Sequence, residues 1–308
     1  MQQMRVIGVW WLTCLLWSST YLFIKLGLAE IPPFSFAWLR LLLALSVLIP
    51  VTVRQGRFAG VGTREAAPIF FAGLLLLGVN YALLYWGSQF IPSGLVAILQ
   101  SATPVFALLF GRLFRFEEVT RRKVAALAAG CAGVALIFHS EVLAFGSATF
   151  GGSIAVLGSA ACIAFAYVWV KGKNSGLHPT AVTTIQCAAG LLLLAPVGLA
   201  LEGSPLNASW SIKSASALMY LAFCGSVVAF WLNYWLLYRM DASAMLMMGV
   251  AEVPLAVALG AIVFGERLPP GTFVGAACVL AGVLLTAPGR SASVPGGRDA
   301  DVVPSKLR

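Results

Sequence analysis

Apolar residues run through this chain in long blocks separated by short polar gaps. Ten blocks stand out, at 6–26, 34–53, 66–87, 93–113, 122–138, 150–170, 180–200, 214–237, 243–264 and 270–287. A helix needs about 20 mainly apolar residues to cross roughly 30 Å of hydrocarbon, and each block is near that length. Proline marks many of the gaps, as at Pro32-Pro33, Pro92, Pro179 and Pro269-Pro270. Proline ends a helix because its ring removes a donor and clashes with the preceding turn. Gaps this short make neighbouring helices antiparallel. The pattern predicts an all-α integral membrane protein with ten transmembrane helices. The stretch 288–308 is polar and rich in Gly and Pro, and reads as a disordered tail.

Composition agrees. The 308 residues are 60% hydrophobic and 10% charged, with a mean hydropathy of +0.93. Soluble domains carry about a quarter charged residues, so this chain could not cover its own surface in water. The net charge of +9 might suggest nucleic acid, but the Lys and Arg sit in the gaps rather than along one polar face. Alternating the gaps between sides puts sixteen basic residues on one side and three (Lys25, Lys213, Arg267) on the other, with Arg40 inside a span. The positive-inside rule then places both termini in the cytoplasm, and a cell inner membrane is the expected location. The first block is too long for a signal core and reads as a retained span. Six cysteines fall in six different blocks without a metal-ligand spacing, and predict no disulfide, metal site or cofactor.

A repeat underlies the ten blocks. Phe116 to Ile137 reappears as Gly265 to Thr286, with Glu117 on Glu266 and Gly133 on Gly282, both 149 residues apart. The same offset lays Tyr85-Trp86 on Tyr234-Trp235 and brings Pro104 within one residue of Pro254. Nearer the N-terminus the offset is 146, pairing Lys25 with Lys171 and Pro33 with Pro179. Five helices is an odd number, so the second copy enters the membrane upside down. Two inverted repeats, 5–138 and 150–287, are an architecture of alternating-access carriers.

The segments Trp17 to Lys25 (WSSTYLFIK) and Pro32 to Arg40 (PPFSFAWLR) resemble the opening of EamA-type transporters of the drug/metabolite transporter superfamily. Pro254 to Leu268 (PLAVALGAIVFGERL) is similar to the way each repeat closes in that family. The first copy departs by having Phe116-Glu117-Glu118 where Gly-Glu is usual, which leaves open whether Glu117 or Glu118 matches Glu266. The resemblance implies ten helices and a central cavity lined by the middle helices of each repeat. It also implies transport of small metabolites such as amino acids, often outward; multidrug efflux is the alternative cargo.

Certain residues could carry this chemistry. Glu252 is the one acidic residue near the middle of a predicted span, and such a residue faces a cavity, a partner or a proton path. Proton coupling through it is one expectation; a structural hydrogen bond is the other. Arg40 could hold a substrate carboxylate, pair with Glu252, or snorkel to the interface. Gln100, Asn80 and Asn233 sit mid-span, where amides bond neighbouring helices or line a cavity. Trp17, Tyr81, Tyr85, Tyr234 and Trp235 are candidates for the same lining, or for packing. Pro104 and Pro254 are candidate hinges. Lys25 and Lys171 read as interfacial anchors, and Glu117, Glu118 and Glu266 as capping or ion-pairing groups. Ala129-x-x-x-Gly133 and Gly271-x-x-x-Gly275 permit close helix approach, within the chain or in a homodimer.

Motifs of other classes are missing from the sequence. There is no HExxH, GxSxG, Walker loop or pair of intramembrane aspartates. No charge ring or carbonyl-filter motif suggests a channel. The expected partners are a small-molecule substrate and membrane lipid.

Overall fold

The computed structural model describes residues 2–58, 61–114, 147–173, 177–237 and 242–286, and residues 121, 124–125, 128–130, 132–133, 135–136 and 139 between them. Among the described residues there is no strand. The long helices are α1 (Gln2–Leu28), α2 (Pro33–Arg54), α3 (Thr63–Ser88), α4 (Ser93–Leu113), α5 (Ser147–Lys173), α6 (Pro179–Glu202), α7 (212–237), α8 (Ala242–Phe264) and α9 (Pro270–Thr286). They cover nine of the ten predicted blocks, with ends shifted by four residues or fewer. The block at 122–138 is only partly within the described residues, and Glu117, Glu118 and the tail lie outside them. Proline opens α2, α6 and α9, where its missing N–H would have had no partner. Gly203 and Gly265, at φ +74° and +65°, follow the last turns of α6 and α8.

α1 to α7 are each long and apolar enough to cross a membrane. The protein is therefore a multi-pass membrane protein. Large apolar side chains such as Leu113, Leu192, Ile262 and Val274 face outward, as lipid contact requires. The core is equally apolar, around the fully buried Tyr85, Phe36, Leu41, Leu77, Ile91 and Leu95. α2 lies along α6, which also packs on α3, and α1 lies along α7 and α8. α4 packs between α5 and α8.

α3 and α7 are built alike. In α3, α-helix over Thr63–Gly73 passes through a π-helical turn at Leu74–Val79 into α-helix at Asn80–Ser88. In α7 the same succession occupies Ile212–Ala222, Phe223–Val228 and Ala229–Leu237. Every boundary is displaced by 149 residues, the offset already present in the sequence. The two candidate hinge prolines differ. Pro104 follows a break at Ser101-Ala102 that divides α4 into Ser93–Gln100 and Thr103–Leu113, whereas Pro254 lies inside the unbroken α8.

Helix ends on one face are joined by carboxylates. Glu202, at the end of α6, accepts from the backbone N–H groups of Phe34 (2.9 Å) and Ser35 (2.6 Å) at the start of α2. Glu30, after α1, accepts from the Ser211 N–H (3.0 Å) and Ser214 hydroxyl (2.6 Å) at the start of α7. Glu266, after α8, accepts from the Ser93 N–H (2.9 Å), the Ser93 hydroxyl (2.8 Å) and the Gly94 N–H (3.2 Å) at the start of α4. Lys25 Nζ lies 3.4 Å from Glu266 and donates to the Ile91 carbonyl at 2.8 Å. Glu266 thus caps a helix, and Lys25 anchors a span end through that carboxylate.

Hydrogen bonds from Ser214 and Ser211, with Lys213 nearby, hold the Glu30 carboxyl below its ordinary pKa of 4.5. A depressed carboxyl stabilises the fold above its ordinary pKa, and that stability is lost as pH falls through the lower folded value. Thermal unfolding in detergent should therefore weaken below about pH 4.5, and Glu30→Gln should flatten part of that fall. Gly133 presents a second test. A Cβ there would lie 2.7 Å from the Val279 backbone N on α9, so Gly133→Leu should cost about 1–3 kcal/mol in the same assay.

Candidate functional site

Arg40, about two turns into α2, is only 4% exposed. Its Nε donates to Ser226 Oγ at 2.9 Å, Nη1 to the Tyr85 hydroxyl at 3.0 Å, and Nη2 to the Gly225 carbonyl at 3.2 Å. The guanidinium carbon lies 5.0 Å from the centre of the Tyr81 ring, within cation–π range. These partners come from α3 and from the π-turn of α7. The wider turn takes carbonyls out of the ordinary ladder, and Ser226 Oγ itself donates five residues back, to the Leu221 carbonyl at 3.1 Å. Gly225 keeps room for the group: a Cβ there would sit 3.2 Å from Arg40 Nη2.

Among the described residues, no carboxylate lies within ion-pair distance of Arg40. Of the alternatives for Arg40, the pairing with Glu252 is not made. Glu252 is half-buried on α8 and faces α1, within electrostatic reach of Cys14 and Tyr21. It has no hydrogen-bond or ion-pair partner among the described residues. Trp17 and Trp235 pack in a cluster with Cys14, Leu236 and Met248 that includes Ala251 and Leu255, the neighbours of Glu252 along α8. The two intramembrane charges thus occupy separate places.

The amides are buried. Asn80 donates to the Leu76 carbonyl at 2.7 Å, one turn back in the π-turn of α3. Gln100 donates to Ser159 Oγ of α5 at 2.7 Å. Each leaves its own carbonyl oxygen buried and unpaired. A buried orphan acceptor costs about 1–3 kcal/mol, which marks both as places for a donor. Asn233 is half-buried on α7, and the Tyr234 side chain lies outside the described residues. Sequence reasoning missed Ser226 and Gly225, the partners of Arg40, and the hydroxyl pair Ser19–Tyr220 at 2.7 Å.

The second repeat has a buried, uncharged residue where the first has Arg40. The 146-residue offset brings Arg40 onto Gln186, which is also buried. Gln186 lies against Gly73, the residue before the π-turn of α3, where a Cβ would be 2.6 Å from the Gln186 Cα. The second helix of each copy therefore meets the third helix of the other at its π-turn.

The sequence matches the EamA-like transporter family twice, over residues 5–139 and 150–287. The chain belongs to that family. An EamA-like protein is a transporter and not an enzyme. The chain is 26% identical to the uncharacterized inner membrane transporter YedA of Escherichia coli K12, over 94% of this chain and 92% of that one. It is 26% identical to a probable terminal-alkyne amino-acid exporter of Streptantibioticus cattleyicolor, over 93% and 96%. A probable amino-acid metabolite efflux pump of E. coli K12 is 24% identical over 89% and 92%. A solved crystal structure shares the fold, with a TM-score of 0.62, 19% identity, and coverage of 91% and 96%.

Arginine's planar fork reaches three acceptors at once, and a lysine ammonium cannot reproduce it. Arg40→Lys should therefore lower stability by about 2 kcal/mol, and Tyr85→Phe by about 1 kcal/mol, read by thermal unfolding.

Proposed function

We propose that the chain is a ten-span secondary carrier of small carboxylate-bearing metabolites, amino acids and their relatives first, moving them outward by alternating access. Its two five-helix repeats, 5–138 and 150–287, are inverted relative to each other and rock about a central cavity. Both termini lie in the cytoplasm, and the membrane is the cell inner membrane. The doubled family match, the twin π-turns and the matching positions of Arg40 and Gln186 beside those turns support the repeat reading. Two relatives bear names of amino-acid exporters or efflux pumps, which supports the cargo and its direction.

The observation that carries the cargo assignment is Arg40. A guanidinium with no described carboxylate partner, deep in a membrane protein, is costly unless an anion reaches it. Three of its five N–H groups are used by neutral acceptors, and a carboxylate binds the fork more strongly than they do. Tyr81, Tyr85, Asn80 and Gln100 form the surroundings of the solute, and the break before Pro104 lets half of α4 pivot. Asn233 and Trp235 line the opposite wall, with Trp17 beside Trp235. Glu252, lacking a described partner, exchanges the proton that drives the cycle.

Flux from proteoliposomes tests this, using labelled amino acids, nucleosides, sugars and cationic dyes, with and without a pH gradient. Saturable flux of carboxylate solutes is expected, falling about 10- to 100-fold in Arg40→Met, the loss that one charge-assisted hydrogen bond implies. Glu252→Gln should keep flux but lose its response to the gradient. Preference for cationic dyes, unchanged by Arg40→Met, would overturn the assignment.

A further inference from the structure

We propose that Glu30, Glu202 and Glu266 together form the gate of one membrane face, a set of three clasps that close and release as a unit. The proposal rests on the alternating-access reading and adds to it the residues that hold the closed state.

All three clasps join one repeat to the other. Glu30 belongs to the first copy and holds the start of α7 in the second. Glu202 and Glu266 belong to the second copy and hold the starts of α2 and α4 in the first. None of them caps its own helix. Local capping is the ordinary way to satisfy the first N–H groups of a helix, and Ser211 provides it for Lys213 and Ser214 at the start of α7. A carboxylate brought from the other repeat adds attraction for the positive end of the helix dipole, and makes it depend on the two repeats being together.

The third clasp is the most elaborate. Lys25 of the first copy pairs with Glu266 and also donates to the Ile91 carbonyl, drawing the ends of α1, α3, α4 and α8 to one point. Gly260 on α8 gives that corner its room, since a Cβ there would sit 2.7 Å from Ser93 Oγ. Gly94 does the same from α4, where a Cβ would be 3.2 Å from the Val257 Cα.

Parting the repeats on this face withdraws every one of these carboxylates. The amides they leave are then free to take water, which lowers the cost of release and lets the closed and open states lie near each other in energy. At the other ends of these helices the repeats meet through Thr52 and Thr184, whose hydroxyls are 2.8 Å apart. Among the described residues no carboxylate bridges the repeats there. The structure is thus the state closed on the clasped face. That face has the few basic residues, so under the proposed topology it is the outside.

Hydrogen–deuterium exchange on the full chain in nanodiscs, followed by mass spectrometry, tests the clasps without a substrate. In Glu266→Gln the amides of Ser93 and Gly94 should exchange about tenfold faster, the order expected on losing a charge-assisted hydrogen bond. If the clasps are one gate, peptides containing Phe34-Ser35 and Ser211 speed up with them, while those around Thr52 and Thr184 slow down. Acceleration confined to Ser93 and Gly94 would mean independent caps and overturn the proposal. Acceleration at both faces would mean general loosening and overturn it equally. Should Glu266→Gln not fold, Glu202→Gln reads out the same coupling, with Phe34-Ser35 as the local amides. Because no flux is measured, failure of the gate and failure of the carrier reading are separately visible.

Discussion

The hydrocarbon interior offers no water to a backbone N–H, a carbonyl or a charge, and the rest of this structure follows from that constraint. It makes each crossing segment helical. It also decides what happens where a helix begins, or where it leaves the α ladder. The first N–H groups of α2, α4 and α7 meet Glu202, Glu266 and Glu30. The π-turn of α7 releases the Gly225 carbonyl, which meets Arg40. The polar groups left over by secondary structure are thus used to join the two halves of the chain.

The same constraint gives the candidate site its chemistry. A guanidinium held by a hydroxyl, a phenol and a carbonyl is satisfied in hydrogen bonding but not in charge. Gln186 occupies the corresponding place in the second copy without a charge, so the duplication supplies the scaffold and one substitution supplies the electrostatics. Glu252 lies on another helix, beside α1, and does not neutralise Arg40. Under the proposed proton coupling, anion and proton would be linked through movement rather than through contact.

Much of this was legible in the sequence, for a physical reason. Membrane spans are set by the length of an apolar run, so nine blocks lie on helices with ends only a few residues off. A duplication keeps its offset, so 149 read from Glu117 and Glu266 reappears in the boundaries of α3 and α7. Arg40 stood out because a charge in an apolar run is rare. Its partners did not. Ser226 and Gly225 owe their role to a π-turn, and one wider turn does not alter the hydrophobic pattern of a helix that is apolar nearly all round. Charge alone allows Arg40 to pair with Glu252, one alternative of three; their helices carry them to different neighbours. Glu30 and Glu202 carry no signal in the sequence, because their partners lie at helix starts 181 and 168 residues away.

Counterflow is the most direct test of the central claim, that this is a carrier whose site faces one side at a time. Proteoliposomes preloaded with unlabelled solute are diluted into a trace of the same solute in labelled form. An alternating-access carrier returns each site loaded, so label should rise inside above its equilibrium level and then decay. A monotonic approach to equilibrium, unaffected by the preload and linear in concentration, would contradict the account and describe an open pore.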